Sequence, residues 1–312
     1  MSSRAPAIAL RLASAPCTWG VWERTVDRDD LIPPDRMLQT VRDLGYTGIE
    51  LGPPGYFGDD PETVGQLLRS YELELVGAFA PLRIDDEEGF RGDLAFLDRT
   101  IEILAATGAR GPVVLAGSEN HVRLAAAGRP EATDETGLKG DDFRRAADRI
   151  ERAAARAGDR GVAAAFHPET GSYIEHPDEV GALLDATDPG IVMLAFDTGH
   201  TVVGGGDPVE LAQARRDRIA HLHLKDVDPT ALARVRSGEL TVEAAWDAGL
   251  FCPFGEGVVD FPGVLAALQS FDGWTVVEQD RVAVQLDDLG SIREVERRNL
   301  AALELAAQAS SG

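Results

Sequence analysis

"IVMLAFDTGH", residues 191–200, is an apolar run of strand length that closes on Asp197 and His200. After a stretch of helical character comes a second such run, "IAHLHLKDV" (219–227). Two buried strands in succession with a helix between them imply parallel pairing, because a parallel neighbour requires a crossover connection. The same unit recurs along the whole chain. Further strand candidates are "IALRLASAP" (8–16), "TGIELG" (47–52), "ELVGAFAPL" (74–82), "GPVVLAG" (111–117), "GVAAAFHPE" (161–169) and "GWTVVEQD" (273–280), which brings the total to eight. Between them, stretches such as "FLDRTIEILAATGA" and "DDFRRAADRIERAAARAGDRG" repeat apolar residues every three or four positions, the amphipathic helix signature. Pro177 marks a helix start, and Gly45, Gly108 and Gly158 mark helix ends. Eight strand–helix units in 312 residues predict one α/β domain, a closed (β/α)8 TIM barrel over 1–312 with loop insertions near 118–140 and 228–258. A dinucleotide-binding sheet would need a G-x-G-x-x-G turn after its first strand. "SAPCTWG" has none, and "GGG" (204–206) follows the sixth strand instead.

Composition narrows the partners. With 53 acidic against 30 basic residues, the formal charge is −23, a field that repels nucleic acid and anionic lipid and attracts cations. No run reaches the roughly 18 apolar residues that span a bilayer, and the N-terminal apolar stretch is broken by Arg11, so neither membrane nor export is expected. The two cysteines, Cys17 and Cys252, make no disulfide framework and read as packing residues. The expected setting is cytoplasmic, and a homo-oligomer formed through the helical shell is an open alternative to a monomer.

A barrel of this type builds its active site at the C-terminal ends of its strands. Read there, strand two ends in Glu50. Strand five ends in His167 and Glu169, with Glu175 shortly after. Strand six ends in Asp197 and His200; strand seven places His221, His223 and Lys225 on one side; strand eight ends in Glu278 and Asp280. Four of the six histidines fall on strands five to seven or at their ends, beside carboxylates that barrel closure brings alongside. Imidazoles and carboxylates together suit a divalent cation. An oxygen-rich set favours manganese or magnesium, with cobalt, zinc and iron as alternatives.

"DTGH", "HLHLKD" and "WTVVEQD", each at a strand exit, resemble the xylose-isomerase-like TIM barrel superfamily over nearly the whole chain. "APCTWGVWE" (15–23), "GYTGIELGPPGY" (45–56), "FHPETGSYIEHPDE" (166–179) and "FGEGVVDF" (254–261) are similar to its inosose dehydratase branch. Members usually hold a metal with one ligand from each of strands five to eight. The resemblance therefore implies Asp197, His223 and Glu278 as ligands. Strand five departs from the pattern, since His167 stands where a glutamate usually does. His167 is the expected ligand and Glu175, folding back from the loop, the alternative. His221 is expected to shape the pocket.

That site would bind a polyhydroxy ketone, a keto-inositol or a sugar, through its carbonyl and adjacent hydroxyl, and stabilise an enediolate as the neighbouring C–H loses its proton. Candidates for acid and base are Glu50, His200, Glu175 and Lys225, and Lys225 could equally hold a substrate oxygen. The resemblance implies dehydration of an inosose-type substrate. Isomerisation or epimerisation on the same metal is the alternative, and an endonuclease IV-like nuclease fits the −23 charge poorly. Trp19 and Trp22 could stack on a sugar face or plug the barrel mouth, and Phe251 and Phe254 could form a lid. Arg123 and Arg129 are the candidates for a phosphate contact, although no glycine-rich cradle follows strands seven and eight and a non-phosphorylated substrate is expected.

Overall fold

The computed structural model describes residues 10–282 and 284–310, and within these the side chains of 132–134 are not considered. The first two residues of the predicted strand 8–16 thus lie outside the described residues. The strands are β1 (Arg11–Ser14), β2 (Gly48–Ile49), β3 (Glu74–Leu75), β4 (Ala78–Leu82), β5 (Val113–Gly117), β6 (Ala164–His167), β7 (Met193–Asp197), β8 (Ile219–Leu224), β9 (Asp226–Val227), β10 (Phe251–Cys252) and β11 (Trp274–Val277). Nine of them form one parallel sheet in the order β3-β2-β1-β11-β8-β7-β6-β5-β4. β3 and β4 are the two halves of the third barrel strand, interrupted at Val76–Gly77. β3 pairs with β2 and β4 pairs with β5, so the strand touches both neighbours and the sheet curls into a (β/α)8 barrel. Around the interruption Val76 N–H donates to Ile49 O at 3.0 Å and Leu51 N–H to Gly77 O at 3.0 Å.

The strands are buried on both faces, as parallel strands covered by helices must be. All five residues of β5 and all four of β6 and β11 are buried. Their apolar outer faces meet the helical shell in one large core that includes Phe166, Phe196, Leu222 and Val277. The helix signals sit where the turn chemistry demands. Gly108 caps the helix Glu87–Thr107 with φ 71°, and Pro177 opens Pro177–Ala186 behind a capping box formed by His176 and Glu179.

Every barrel strand is shorter than its apolar run. β2 stops at Ile49, β7 at Asp197 and β11 at Val277, which leaves Glu50, Thr198–His200 and Glu278–Asp280 at or just past the strand ends. Segment 118–140 contains the short helices His121–Ala126 and Pro130–Thr136. Segment 228–258 contains Pro229–Arg236 and Val242–Asp247 and returns through β10, which pairs antiparallel with β9. Among the described residues no helix is long and apolar enough to cross a membrane.

Candidate metal centre

Glu50 leaves β2 into the mouth of the barrel, 6% exposed, and its Oε1 lies 2.7 Å from His221 Nε2 and 3.1 Å from His223 Nε2. Burial would raise the Glu50 pKa, but His223 and His221 overcome this and hold the carboxyl well below its usual range. An ionised carboxylate can only accept, so both Nε2 atoms donate. The orientation of His223 follows. Its Nδ1 is turned away from Glu50, 3.2 Å from Glu278 Oε2 and 3.7 Å from Asp197 Oδ2, buried and without a hydrogen-bond partner. His167 Nε2 approaches the same Asp197 oxygen at 3.5 Å. One ligand atom each from His167, Asp197 and His223 lie within 4.8 Å of one another, and Glu278 closes the set through His223.

This donor set fits a divalent cation. His167, Asp197 and His223, on β6, β7 and β8, each bring one donor atom within 4.8 Å of the others, and Glu278, just past β11, joins them through His223 Nδ1, which lies 3.2 Å from Glu278 Oε2 and 3.7 Å from Asp197 Oδ2. Glu50 would supply the outer carboxylate that fixes the tautomer of His223 as a ligand. Two neighbours complete the electrostatics. Lys225 Nζ is 2.9 Å from Asp197 Oδ2 and 2.5 Å from Glu278 Oε2. Burial opposes the charge on Asp197, yet Lys225, His200 and His167 hold its pKa well below the usual value.

His200 stands beside this cluster. Thr170 N–H donates to its Nδ1 at 3.2 Å and Thr170 Oγ1 lies 2.7 Å away, so the ring's proton sits on Nε2. That nitrogen is 3.6 Å from Glu169 Oε1 and 3.9 Å from Asp280 Oδ2. Burial lowers the His200 pKa to about 4, which keeps the ring neutral at physiological pH. Asp280 is pushed the other way, to about 6, by burial against the pull of Lys225. Glu169 also reaches His167 Nδ1, at 3.3 Å.

These groups line one cavity of about 350 Å³, together with Cys17, Trp22, Arg24, Phe79 and Trp246. Of the residues read from the sequence, His167, His200, His223, Lys225, Glu278 and Glu50 line it, and Asp197 touches it through His167, His223 and Lys225. Glu175 does not. Its Oε1 accepts from Gly128 N–H at 3.1 Å and its Oε2 from Gly171 N–H at 2.9 Å, so both oxygens tie two loops together and neither faces the cavity. Glu169 and Asp280, counted in the sequence only as residues near strand ends, occupy the cavity wall instead. Trp19 is fully buried and donates to Ser14 Oγ at 3.0 Å, whereas Trp22 lines the cavity edge-on to Trp246. Phe251 packs 5.4 Å from the His200 ring; Phe254 packs on Phe261 within the core. Arg123 is fully buried and spends its guanidinium on Ser172 O and Glu179, each at 2.7 Å, rather than on a phosphate.

The xylose isomerase-like TIM barrel family matches over residues 38–298. An inosose dehydratase of Geobacillus kaustophilus is 31% identical over 274 residues, covering 87% of each chain. The rhizopine catabolism protein MocC of Rhizobium meliloti is 30% identical over 311 residues, covering 96% of this chain and 90% of that one. Among solved structures, the IOLI protein with a bound zinc atom superposes with a TM-score of 0.69 at 16% identity, over 94% of this chain and 98% of that one.

Proposed function

The chain belongs to the xylose isomerase-like TIM barrel family, and from that membership we propose a divalent-cation-dependent enzyme that dehydrates an inosose-type polyhydroxy ketone. The observation that carries the reading is the approach of His223 Nδ1 to Glu278 Oε2 and to Asp197 Oδ2, at 3.2 and 3.7 Å, with His167 beside them at the mouth of the barrel. His167, Asp197, His223 and Glu278 would hold the ion, manganese first among the candidates. When bound, a divalent cation polarises a substrate carbonyl and stabilises the negative charge that develops as the adjacent C–H is broken. Support for the substrate class comes from the inosose dehydratases named among the relatives and from a cavity whose volume suits a single-ring ligand.

The protein's own groups divide the remaining work. His200 presents a neutral Nε2–H to the cavity, from which it would donate a hydrogen bond to a substrate oxygen. Glu169, which His200 and His167 hold ionised against its burial, would take the proton from the broken C–H, and Asp280, whose pKa burial pushes up to about 6, would pass a proton to the departing hydroxyl, which leaves as water. Glu50 keeps His223 turned so that Nδ1 faces inward. Lys225 contributes positive charge beside the reacting oxygens, and Trp22 with Trp246 walls the cavity from water.

Incubation of the purified protein with manganese and 2-keto-myo-inositol, followed by mass spectrometry, tests this. Loss of one water from the substrate is the expected result. A new isomer of unchanged mass would replace dehydration by epimerisation or isomerisation, and an unreacted substrate with every candidate ion would remove the inosose assignment.

A further inference from the structure

The two oxygens that face His223 Nδ1 are already shared with a cation of the protein's own. Lys225 Nζ contacts Asp197 Oδ2 and Glu278 Oε2 at 2.9 and 2.5 Å, the same atoms proposed above as ligands. An ammonium and a divalent ion held between the same two oxygens would repel at close range in a poorly screened interior. The lysine is only 3% exposed, so its charge cannot escape to water, and a buried ammonium without a partner is strongly disfavoured.

A second anchorage lies within reach. Asp280 Oδ1 is 3.6 Å from Nζ, and the Phe251 ring centroid is 5.7 Å away. The base of the side chain is fixed, since Lys225 N–H donates to Thr198 Oγ1 at 2.9 Å and Thr198 Oγ1 donates to Lys225 O at 2.8 Å. A Cβ added at Gly199 would lie 2.6 Å from Lys225 Cβ, so the backbones of the two strand exits are already in closest approach. Movement is left to the outer methylenes and the amine.

We infer that Lys225 is a displaceable counter-ion, which holds Asp197 and Glu278 together when no metal is bound and passes to Asp280 when a divalent cation takes those oxygens. The inference rests on the metal-dependent reading of the site. It gives the empty site a stable closed form, and it moves a positive charge towards the His200 side of the cavity as the ion enters, because Asp280 is also the neighbour of His200 Nε2.

Two measurements test it. Titration calorimetry with manganese chloride compares the wild type with Lys225→Met and Lys225→Gln, and a crystal structure of the wild type is determined with manganese bound. The expected results are affinities raised on the order of tenfold in both variants, and an Nζ beyond hydrogen-bond distance of Asp197 Oδ2 in the manganese-bound crystal. Should Lys225→Met fold only with manganese present, that dependence itself supports the counter-ion role, and Lys225→Gln, whose amide still donates to one carboxylate, supplies the affinity. Unchanged or weaker binding in the variants, or an amine that remains on Asp197 Oδ2 beside the ion, overturns the inference while leaving metal dependence intact. Absence of binding in all three proteins removes the metal reading and this inference together. Binding by the variants alone supports displacement in its strongest form.

Discussion

Glu50 reads in the sequence as an acid at a strand exit, and nothing in its neighbourhood says whether it attacks a proton or holds a histidine. The distinction comes from His221 and His223, which are brought to it only when strand seven folds opposite strand two. Glu50→Ala removes the acceptor that fixes His223 and should weaken manganese binding by about 10–100-fold. Glu50→Gln, which still offers an oxygen, should fall between the two; calorimetry on both variants measures the difference, and circular dichroism checks that the barrel persists. Glu175 shows the opposite limit of sequence reading. Its acid group looks available after strand five, but Gly128 and Gly171 claim one oxygen each from distant parts of the chain. Glu175→Gln turns an amide N–H2 towards one of those N–H donors, which should cost about 1–3 kcal/mol while metal content is kept. A lowered melting temperature with unchanged metal by elemental analysis is the expected outcome. That Asp197, His223 and Glu278 would meet at the mouth was legible because each stands within one residue of its strand's C-terminal end. Glu169 was harder to rank, since it lies beyond Pro168 and turns inward only through the fold of the loop that follows.

At the scale of elements, the eight apolar runs and their alternation with helices were legible because parallel strands are buried on both faces. The interruption of the third strand was not, since Val76 and Gly77 fit an uninterrupted run. Nor was the small β9–β10 ladder, or the single side chain that gathers the loop after it. Asp226, 1% exposed, accepts from Val227 and Val259 N–H on Oδ1, at 2.9 and 3.0 Å, and from Gly255 and Gly257 N–H on Oδ2, at 2.9 and 3.0 Å. This carboxylate organises the segment that carries Phe251 to the His200 ring. Asp226→Asn must present an amide to two backbone donors on one side. Hydrogen exchange should accelerate across 251–259 and stay unchanged in β5 and β6; uniform acceleration would mean that the segment is not an independent unit.

For the whole molecule, a formal charge of −23 concentrates cations around a mouth that itself holds Glu50, Glu169, Asp197, Glu278 and Asp280. A ligand that binds only the folded chain stabilises it by mass action. Manganese at a hundredfold excess over its dissociation constant should add about 2.7 kcal/mol, a rise in melting temperature of roughly 5 °C for a chain of this size. Chelation should reverse the rise and abolish turnover without unfolding the barrel, which differential scanning calorimetry with and without EDTA would register. The interruption of the third strand carries a consequence for what the molecule can tolerate. A Cβ built on Gly77 would stand 2.5 Å from Glu50 Oε1 and 3.2 Å from His221 Nε2. The bore of the tube at that height is therefore set by a missing methyl group, and any residue larger than glycine there would have to widen the wall or evict the carboxylate that holds His221 and His223, so that calibre and chemistry are inherited together.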